Sequence, residues 1–525
     1  MRVRMRRWAV GCVALALVGL PGAASADSVA GTEGLSQDLD ALLASPALAG
    51  AQASLVVRDA DTGAVLYSRQ GDNLLQPASN EKLITSTTAL EVLGPDYRFA
   101  TTVSEDGRRA GSVLVGDLYL KGTGDPTALA KDYQDLAAKV AASGVKTVAG
   151  HLVADDTWFD SVRLGTGWAW DDEPYSYNAQ ISALTIAPDT DYDAGSVIVR
   201  VAPGAAGEPA VVTMDPPNSY LKIASTAVTS AAGSARTVSV DREHGTNTIT
   251  VTGAIPAGGT ATASYMAVWN PTAFVASVFR KALEDNGVRV LGGTDYRATP
   301  ASATPVAQRD SMPFSQLLVP FLKLSNNMHA EILTKAAGRL VSGKGTWSAG
   351  ISALKAKLPA LGVNPAAFRT FDGSGLSRMD SVTPSQLSSV LVGAKSRPWF
   401  QTWYDALPIA GNPDRMIGGT LRSRMTGTAA ANNVHGKTGS LTGVSGLSGY
   451  VTAASGQKLV FSLLENNYLG SSPKSLEDAV AVRLANYTGP GDTAKAGVAP
   501  RTLQQVPAQA TNSRDDLECS WTRTC

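Results

Sequence analysis

The chain has 525 residues with 45 basic and 45 acidic side chains, and its first 26 positions hold four arginines and no acid. Loss of that leader takes the formal charge from 0 to −4, which argues against a nucleic-acid partner, whose binding depends on clustered positive charge. The four histidines (His151, His244, His329, His435) and three cysteines (Cys12, Cys519, Cys525) follow no metal-ligand spacing, so no metal and no cofactor is expected.

In chain order, Arg2, Arg4, Arg6 and Arg7, the apolar stretch Trp8 to Leu20, and Ala24-Ser25-Ala26 read as an export signal over residues 1–26. Its apolar part is short for a bilayer span, and no later run is long enough for one, so a secreted protein with no integral membrane segment is expected after cleavage. Ser54 to Tyr67 has the pattern of a β-hairpin, with Leu55-Val56-Val57 and Ala64-Val65-Leu66 flanking turn residues Asp59 to Gly63. A helix is expected next, with Pro77 ahead of it, Ser79 near its start, and Leu83, Ala89 and Leu90 on its apolar face.

About 500 residues exceed what one core usually serves, so two or three domains are expected. Residues 100–293 alternate short β-like runs (Val113 to Leu120, Ser196 to Val201, Val238 to Val240, Thr248 to Thr252) with turn residues. They read as a β-rich insertion in two parts, 100–172 with 264–293, and 173–263, between the core segments 27–99 and 294–487. Phe274, Val275, Val278, Phe279 and Leu283 predict an amphipathic helix over Pro271 to Asn286 near the insertion's exit. Helices are expected over Phe314 to Leu322 and His329 to Leu340, then strands over Val444 to Val451 and Lys458 to Leu464. Residues 488–525 are rich in Gly, Pro, Ala, Gln and Thr and read as a flexible tail, where Cys519 and Cys525 either close a small loop or stand as free thiols.

Three short motifs carry the chemistry: Ser79-Asn80-Glu81-Lys82, Ser325-Asn326-Asn327 and Lys437-Thr438-Gly439. A serine hydroxyl needs a base, and a lysine serves only when its pKa is depressed, by burial or by a second cation. Lys82, three positions after Ser79 on a helix, shares its face, and Lys437 supplies the second cation. Ser-x-x-Lys alone is weak, since Ser143 to Lys146, Ser219 to Lys222 and Ser352 to Lys355 also fit it. Ser176-Tyr177-Asn178 fits the Ser-x-Asn spacing too, but it lies inside the insertion, and Ser325 between two helices is preferred.

Together with Gly116 to Leu120, Gly122 to Pro126, Leu324 to Glu331, Asp372 to Arg378 and His435 to Ser440, the ordered set resembles the penicillin-recognising serine D,D-peptidases. Within them it is similar to the penicillin-binding protein 4 type, peptidase family S13, whose first two motifs are split by a large insertion. Here 243 positions separate Lys82 from Ser325. The resemblance implies a multi-domain α/β fold, with a β-lactamase-like core of antiparallel sheet flanked by helices and inserted β-rich domains. It implies an enzyme at the cell wall that cuts peptidoglycan stem peptides beside D-alanine and is acylated by β-lactams.

By the same resemblance Ser79 is the nucleophile, Lys82 the base, Ser325 a proton relay and Asn327 a substrate ligand. Lys437 supplies positive potential, Thr438 binds the terminal carboxylate, Gly439 lies on the strand edge offered to substrate, and the N–H groups of Ser79 and Ser440 form the oxyanion hole. Arg378 is assigned to a carboxylate on the stem's third residue, which a planar guanidinium grips in two places. Tyr177, Trp168 and Trp170 are either walls of that pocket or ordinary core aromatics. A β-lactamase is disfavoured by the lack of a Glu-x-x-Leu-Asn segment, a Ser-His-Asp hydrolase by the lack of a Gly-x-Ser-x-Gly elbow. A β-lactam sensor without peptide turnover is the non-enzymatic alternative.

Overall fold

A computed structural model of the chain describes residues 27–28 and 31–493. The expected leader, most of the expected tail and the Cys519/Cys525 pair lie outside the described residues.

The central sheet is antiparallel and six-stranded, in the order Asp27–Ser28, Val65–Arg69, Gln52–Asp59, Lys458–Asn466, Val444–Thr452, His435–Leu441. Early and late chain therefore meet at its centre, with Leu55 opposite Leu463 and Val57 opposite Phe461. Period-two alternation sends Leu55, Val57, Leu459, Phe461 and Leu463 toward the helices Glu33–Leu43 and Lys474–Ala485. Val460, Leu464 and Tyr450 face the opposite side, packing with Leu83, Leu387 and Leu391. Because helices cover both faces, Val444–Thr452 is buried throughout except at its last residue. Its small residues have a packing reason: a Cβ on Gly446 would lie 2.9 Å from Asn80 Nδ2 and 2.8 Å from a Leu464 methyl.

Residues 100–310 supply the other sheets. Val113–Gly122 pairs with Ala100–Ala110 and with the short strands Thr147–Val148 and Leu152–Asp155; Thr304–Asp310 closes the edge beside Ala100–Ala110. The helices Ala130–Ala142 and Pro271–Asp285 share one core with this sheet. Smaller three-stranded sheets are built from Val211–Asp215, Ser196–Ala202 and Thr262–Ala267, and from Lys222–Ser225, Thr248–Thr252 and Ser239–Arg242.

Two of the element boundaries that differ from expectation lie at motifs. The helix expected from His329 starts at Asn327, because the Asn326 side chain accepts from His329 N and caps it. Lys437-Thr438-Gly439 lies within a strand of its own, His435–Leu441, in register with the expected strand, which runs over Val444–Thr452. Gly436, Gly439 and Ser440 are poor strand formers alone; cross-strand pairing overrides their propensity.

Candidate active site

Ala78–Asn80 form one 3-10 turn that runs directly into the helix Glu81–Leu93. Ala78 has φ 45°, a left-handed conformation that costs a non-glycine residue energy and recurs at functional sites. The turn is wedged between two close backbone approaches. A Cβ on Gly375 would lie 1.9 Å from Ala78 O, and one on Gly439 would lie 2.8 Å from Pro77 O and 3.2 Å from Ser79 N. Only glycine lets the edge strand approach the Ser79 amide this closely.

Lys82 is fully buried, and its Nζ lies 2.8 Å from Ser79 Oγ, 2.7 Å from Asn327 Oδ1 and 2.9 Å from Ser374 O. Burial pushes its pKa well below the ordinary lysine value, and the Lys437 charge pushes the same way, against the pull of Glu331, Asp372 and Glu81. Lys437, also fully buried, donates to Ser325 Oγ at 2.7 Å and to Thr438 O at 2.9 Å. Thr438 Oγ1 donates to Thr420 Oγ1 at 2.9 Å. Ser440 follows on the same strand, half-buried, opposite Ser445.

Ser325 is a second left-handed residue, φ 58°, and the insertion holds its turn from two sides. Asn326 Nδ2 donates to Tyr192 O at 3.1 Å and Asp193 Oδ1 at 3.0 Å, while Asn327 Nδ2 donates to Tyr177 O at 2.8 Å. Nearby, Arg415 grips Asp191 with both terminal nitrogens, at 2.6 and 2.8 Å. All three motifs thus converge on one place, with Ser325 rather than Ser176 at Lys437. Ser176 sits in the 3-10 turn Ser176–Asn178, which contributes the Tyr177 carbonyl instead.

Beneath Lys82 lie four buried carboxyl groups, Glu81, Glu331, Asp372 and Asp380, to which sequence reasoning gave no role. Glu331 accepts from Gly373 N and Ser374 N, both at 2.9 Å, and from Trp347 Nε1 at 2.7 Å. Asp372 accepts from Gly375 N at 2.8 Å and Ser377 N at 2.7 Å. The two acids fold the 372–377 loop so that the Ser374 carbonyl meets Lys82. Their only trace in the sequence was position, Glu331 four residues past Asn327 and Asp372 heading a Gly-Ser-Gly loop.

Burial raises Glu331 to about 7 and Glu81 to about 8, in each case with like charge from Asp372 adding to the effect. A carboxyl whose folded pKa lies above its unfolded one stabilises the fold fully below the ordinary carboxylate range, and that contribution is lost as pH rises through the folded value. The contribution of these two acids to thermal stability is therefore expected to fall as pH rises from about 5 to about 8. Glu81→Gln, which mimics the protonated acid, is expected to melt within about 1 kcal/mol of wild type at pH 6 and to flatten that decline.

In front of Ser79, Ala78, Leu376, Leu441 and Val444 form a small apolar cluster against which Trp168 and Tyr177 pack. Trp168 Nε1 donates to Asp372 Oδ2 at 2.8 Å, and Tyr177 OH donates to Asp172 Oδ1 at 2.8 Å. Trp170 instead is 75% exposed, so it is not core. Arg378 Nη1 donates to Thr442 O at 2.9 Å; burial lowers its pKa and the charges of Asp172 and Asp171 oppose that.

An antiparallel sheet with a helix-borne Ser/Lys pair, a Ser-x-Asn turn and a Lys-Thr-Gly edge strand defines the class of active-site-serine, penicillin-binding peptidases. The chain belongs to the D-Ala-D-Ala carboxypeptidase 3 (S13) family, whose sequence profile matches residues 35–487. It is 47% identical over 508 residues to the D-alanyl-D-alanine carboxypeptidase of Actinomadura sp. (strain R39), covering 96% of this chain and 93% of that protein. It is 28% identical over 480 residues to carboxypeptidase DacB of Mycolicibacterium smegmatis, covering 88% and 87%. The crystal structure of penicillin binding protein 4 from Haemophilus influenzae superposes with a TM-score of 0.73 at 25% identity, covering 86% of this chain and all of that one. No helix among the described residues is long and apolar enough to cross a membrane.

Proposed function

We propose that the chain is an exported serine D-Ala-D-Ala carboxypeptidase, with endopeptidase capacity, that acts on peptidoglycan stem peptides through an acyl-enzyme and is inhibited covalently by β-lactams. One observation carries this reading. A neutral amine has two hydrogens and one lone pair. Asn327 Oδ1 and Ser374 O are pure acceptors, at 2.7 and 2.9 Å from Lys82 Nζ, so they take the two hydrogens. The lone pair is left facing Ser79 Oγ at 2.8 Å, as a general base requires.

Ser79 Oγ then attacks the carbonyl between the two D-alanines while its proton passes to Lys82 Nζ. The resulting oxyanion lies between the N–H groups of Ser79 and Ser440, and the substrate's terminal carboxylate is held by Thr438 in the field of Lys437. When the C–N bond breaks, a proton reaches the departing amine through Ser325, which Lys437 holds at 2.7 Å. Water, or another amine, takes the acyl group from Ser79 and restores the hydroxyl. Asn327 binds the substrate backbone while its Oδ1 holds Lys82.

Release of free D-alanine from a stem-peptide mimic tests the proposal, with fluorescent penicillin labelling in parallel. The wild type is expected to do both and Ser79→Ala neither. Labelling without release would mark a sensor, and rapid penicillin turnover a β-lactamase. We also read Arg378, with Trp168 and Tyr177, as the wall that recognises the third stem residue. Arg378→Ala is expected to lower kcat/KM for stem-like peptides by about tenfold, the worth of one charged contact, and to leave short D-Ala-D-Ala peptides unchanged; an unaltered ratio refutes the assignment. Export through residues 1–26, a place at the cell wall, and the division into core, two-part insertion and tail belong to the same reading.

A further inference from the structure

The wall segment 168–178 is held on its far side by the hairpin that joins Ser239–Arg242 to Thr248–Thr252. Arg242 is 2% exposed, an uncommon burial for a guanidinium. Its Nη2 donates to Glu173 O at 3.0 Å and to Glu173 Oε1, and its Nη1 donates to Thr246 O at 2.5 Å and Glu243 O at 3.2 Å. His244 Nδ1 lies 2.9 Å from Glu173 Oε2, and the His244 ring packs on Trp170 with centroids 4.7 Å apart. Glu173, itself 7% exposed, is therefore clamped on both carboxylate oxygens by one hairpin tip.

On its near side the same segment makes the substrate wall. It donates from Trp168 to Asp372, offers the Tyr177 carbonyl to Asn327, and bonds Tyr177 to Asp172, the neighbour of Glu173. Its main chain is anchored separately, since Ala267 N donates to Pro174 O at 2.9 Å and Tyr175 bridges to Met266. The clamp bonds end on Glu173, just ahead of that anchor, and fix residues 170–173.

We propose that Arg242, His244 and Glu173 are positioning residues through which the outer part of the insertion sets selectivity for stem peptides whose third residue bears both amine and carboxylate. No atom of the clamp touches the reacting groups. It acts by holding Asp172, which accepts from the Tyr177 hydroxyl and whose charge reaches Arg378, and it rests on the wall assignment given above.

The test uses the full-length enzyme and the variants Glu173→Gln, His244→Ala, Arg242→Lys and the double variant Glu173→Gln/His244→Ala. Each is assayed on a stem-like peptide with an amine- and carboxylate-bearing side chain, on a short diacylated D-Ala-D-Ala peptide, and for benzylpenicillin acylation rate. Glu173→Gln is expected to raise KM for the stem-like peptide about three- to tenfold with kcat within about twofold. The short peptide and the acylation rate should stay at wild-type values. The double variant should match Glu173→Gln alone, because both changes break one linkage. An unchanged KM ratio between the peptides in Glu173→Gln and His244→Ala, or an equal loss on both, overturns the proposal, whether or not Arg242→Lys folds. If Arg378→Ala shifts that ratio and the clamp variants do not, this inference fails while the wall assignment stands; if neither shifts it, the wall assignment fails first.

Discussion

Lys82→Ala lowers the rate of acylation by benzylpenicillin by about 10²- to 10⁴-fold, the usual worth of a positioned general base, in a protein that still binds penicillin reversibly. The base is competent only while its amine is unprotonated. Since burial and Lys437 push its pKa well below the ordinary value, the wild-type rate should climb with pH through that lowered pKa and then level. Lys437→Met removes the second cause but not the first. The pKa of Lys82 therefore rises, and the ascending limb moves to higher pH. Stopped-flow acylation across pH reads both effects; a limb that stays in place in Lys437→Met means that Lys82 is not the titrating base.

The same burial has a thermodynamic signature of opposite use. Between its lowered folded pKa and its ordinary unfolded one, Lys82 binds a proton in the unfolded chain but not in the folded one, so stability rises with pH across that window. Lys82→Ala loses this slope. A functional site is kept reactive at the expense of stability, and the left-handed Ala78 and Ser325, at φ 45° and 58°, are part of that cost.

What the sequence made legible was local or ordered. The hairpin of Ser54 to Tyr67 is the strand pair Gln52–Asp59 and Val65–Arg69, and the stripe Phe274 to Leu283 is the helix Pro271–Asp285. The order of the three motifs, with the spacing inside each, brought Ser79, Lys82, Ser325, Asn327 and Lys437 to one site. What stayed hidden depends on tertiary contact. No periodicity marks Lys437 as a strand residue, because its strand exists by pairing with Val444–Thr452. No spacing tells that Tyr177 serves by its carbonyl, or that Asp193 and Tyr192 hold Asn326, some 133 residues away. Charged residues read as solvated faces until burial is known, which is why the four carboxyl groups under Lys82 went without a role.

Among those four, Glu331 bears the most. Its carboxylate is the partner of three buried N–H groups, Gly373 N, Ser374 N and Trp347 Nε1. Glu331→Ala strands all three, at about 1–3 kcal/mol for each donor left unmet before relaxation; a loss on the order of 3–5 kcal/mol in urea unfolding is expected, a large share of a typical domain's stability. Glu331→Gln separates that structural debt from the catalytic one. Its single carbonyl oxygen can replace Oε2 and keep Trp347 and Gly373, but its amide nitrogen then faces Ser374 N, donor against donor. The Ser374 peptide must turn away, and its carbonyl is the acceptor that fixes one Lys82 hydrogen at 2.9 Å. With that hydrogen released the lone pair no longer points at Ser79, and a misplacement of about 1 Å costs on the order of 10²-fold in rate. Glu331→Gln should therefore melt closer to wild type than Glu331→Ala and acylate about 10²-fold more slowly than wild type. Wild-type acylation by a well-folded Glu331→Gln protein would show that the carboxylate beneath the site does not orient the base.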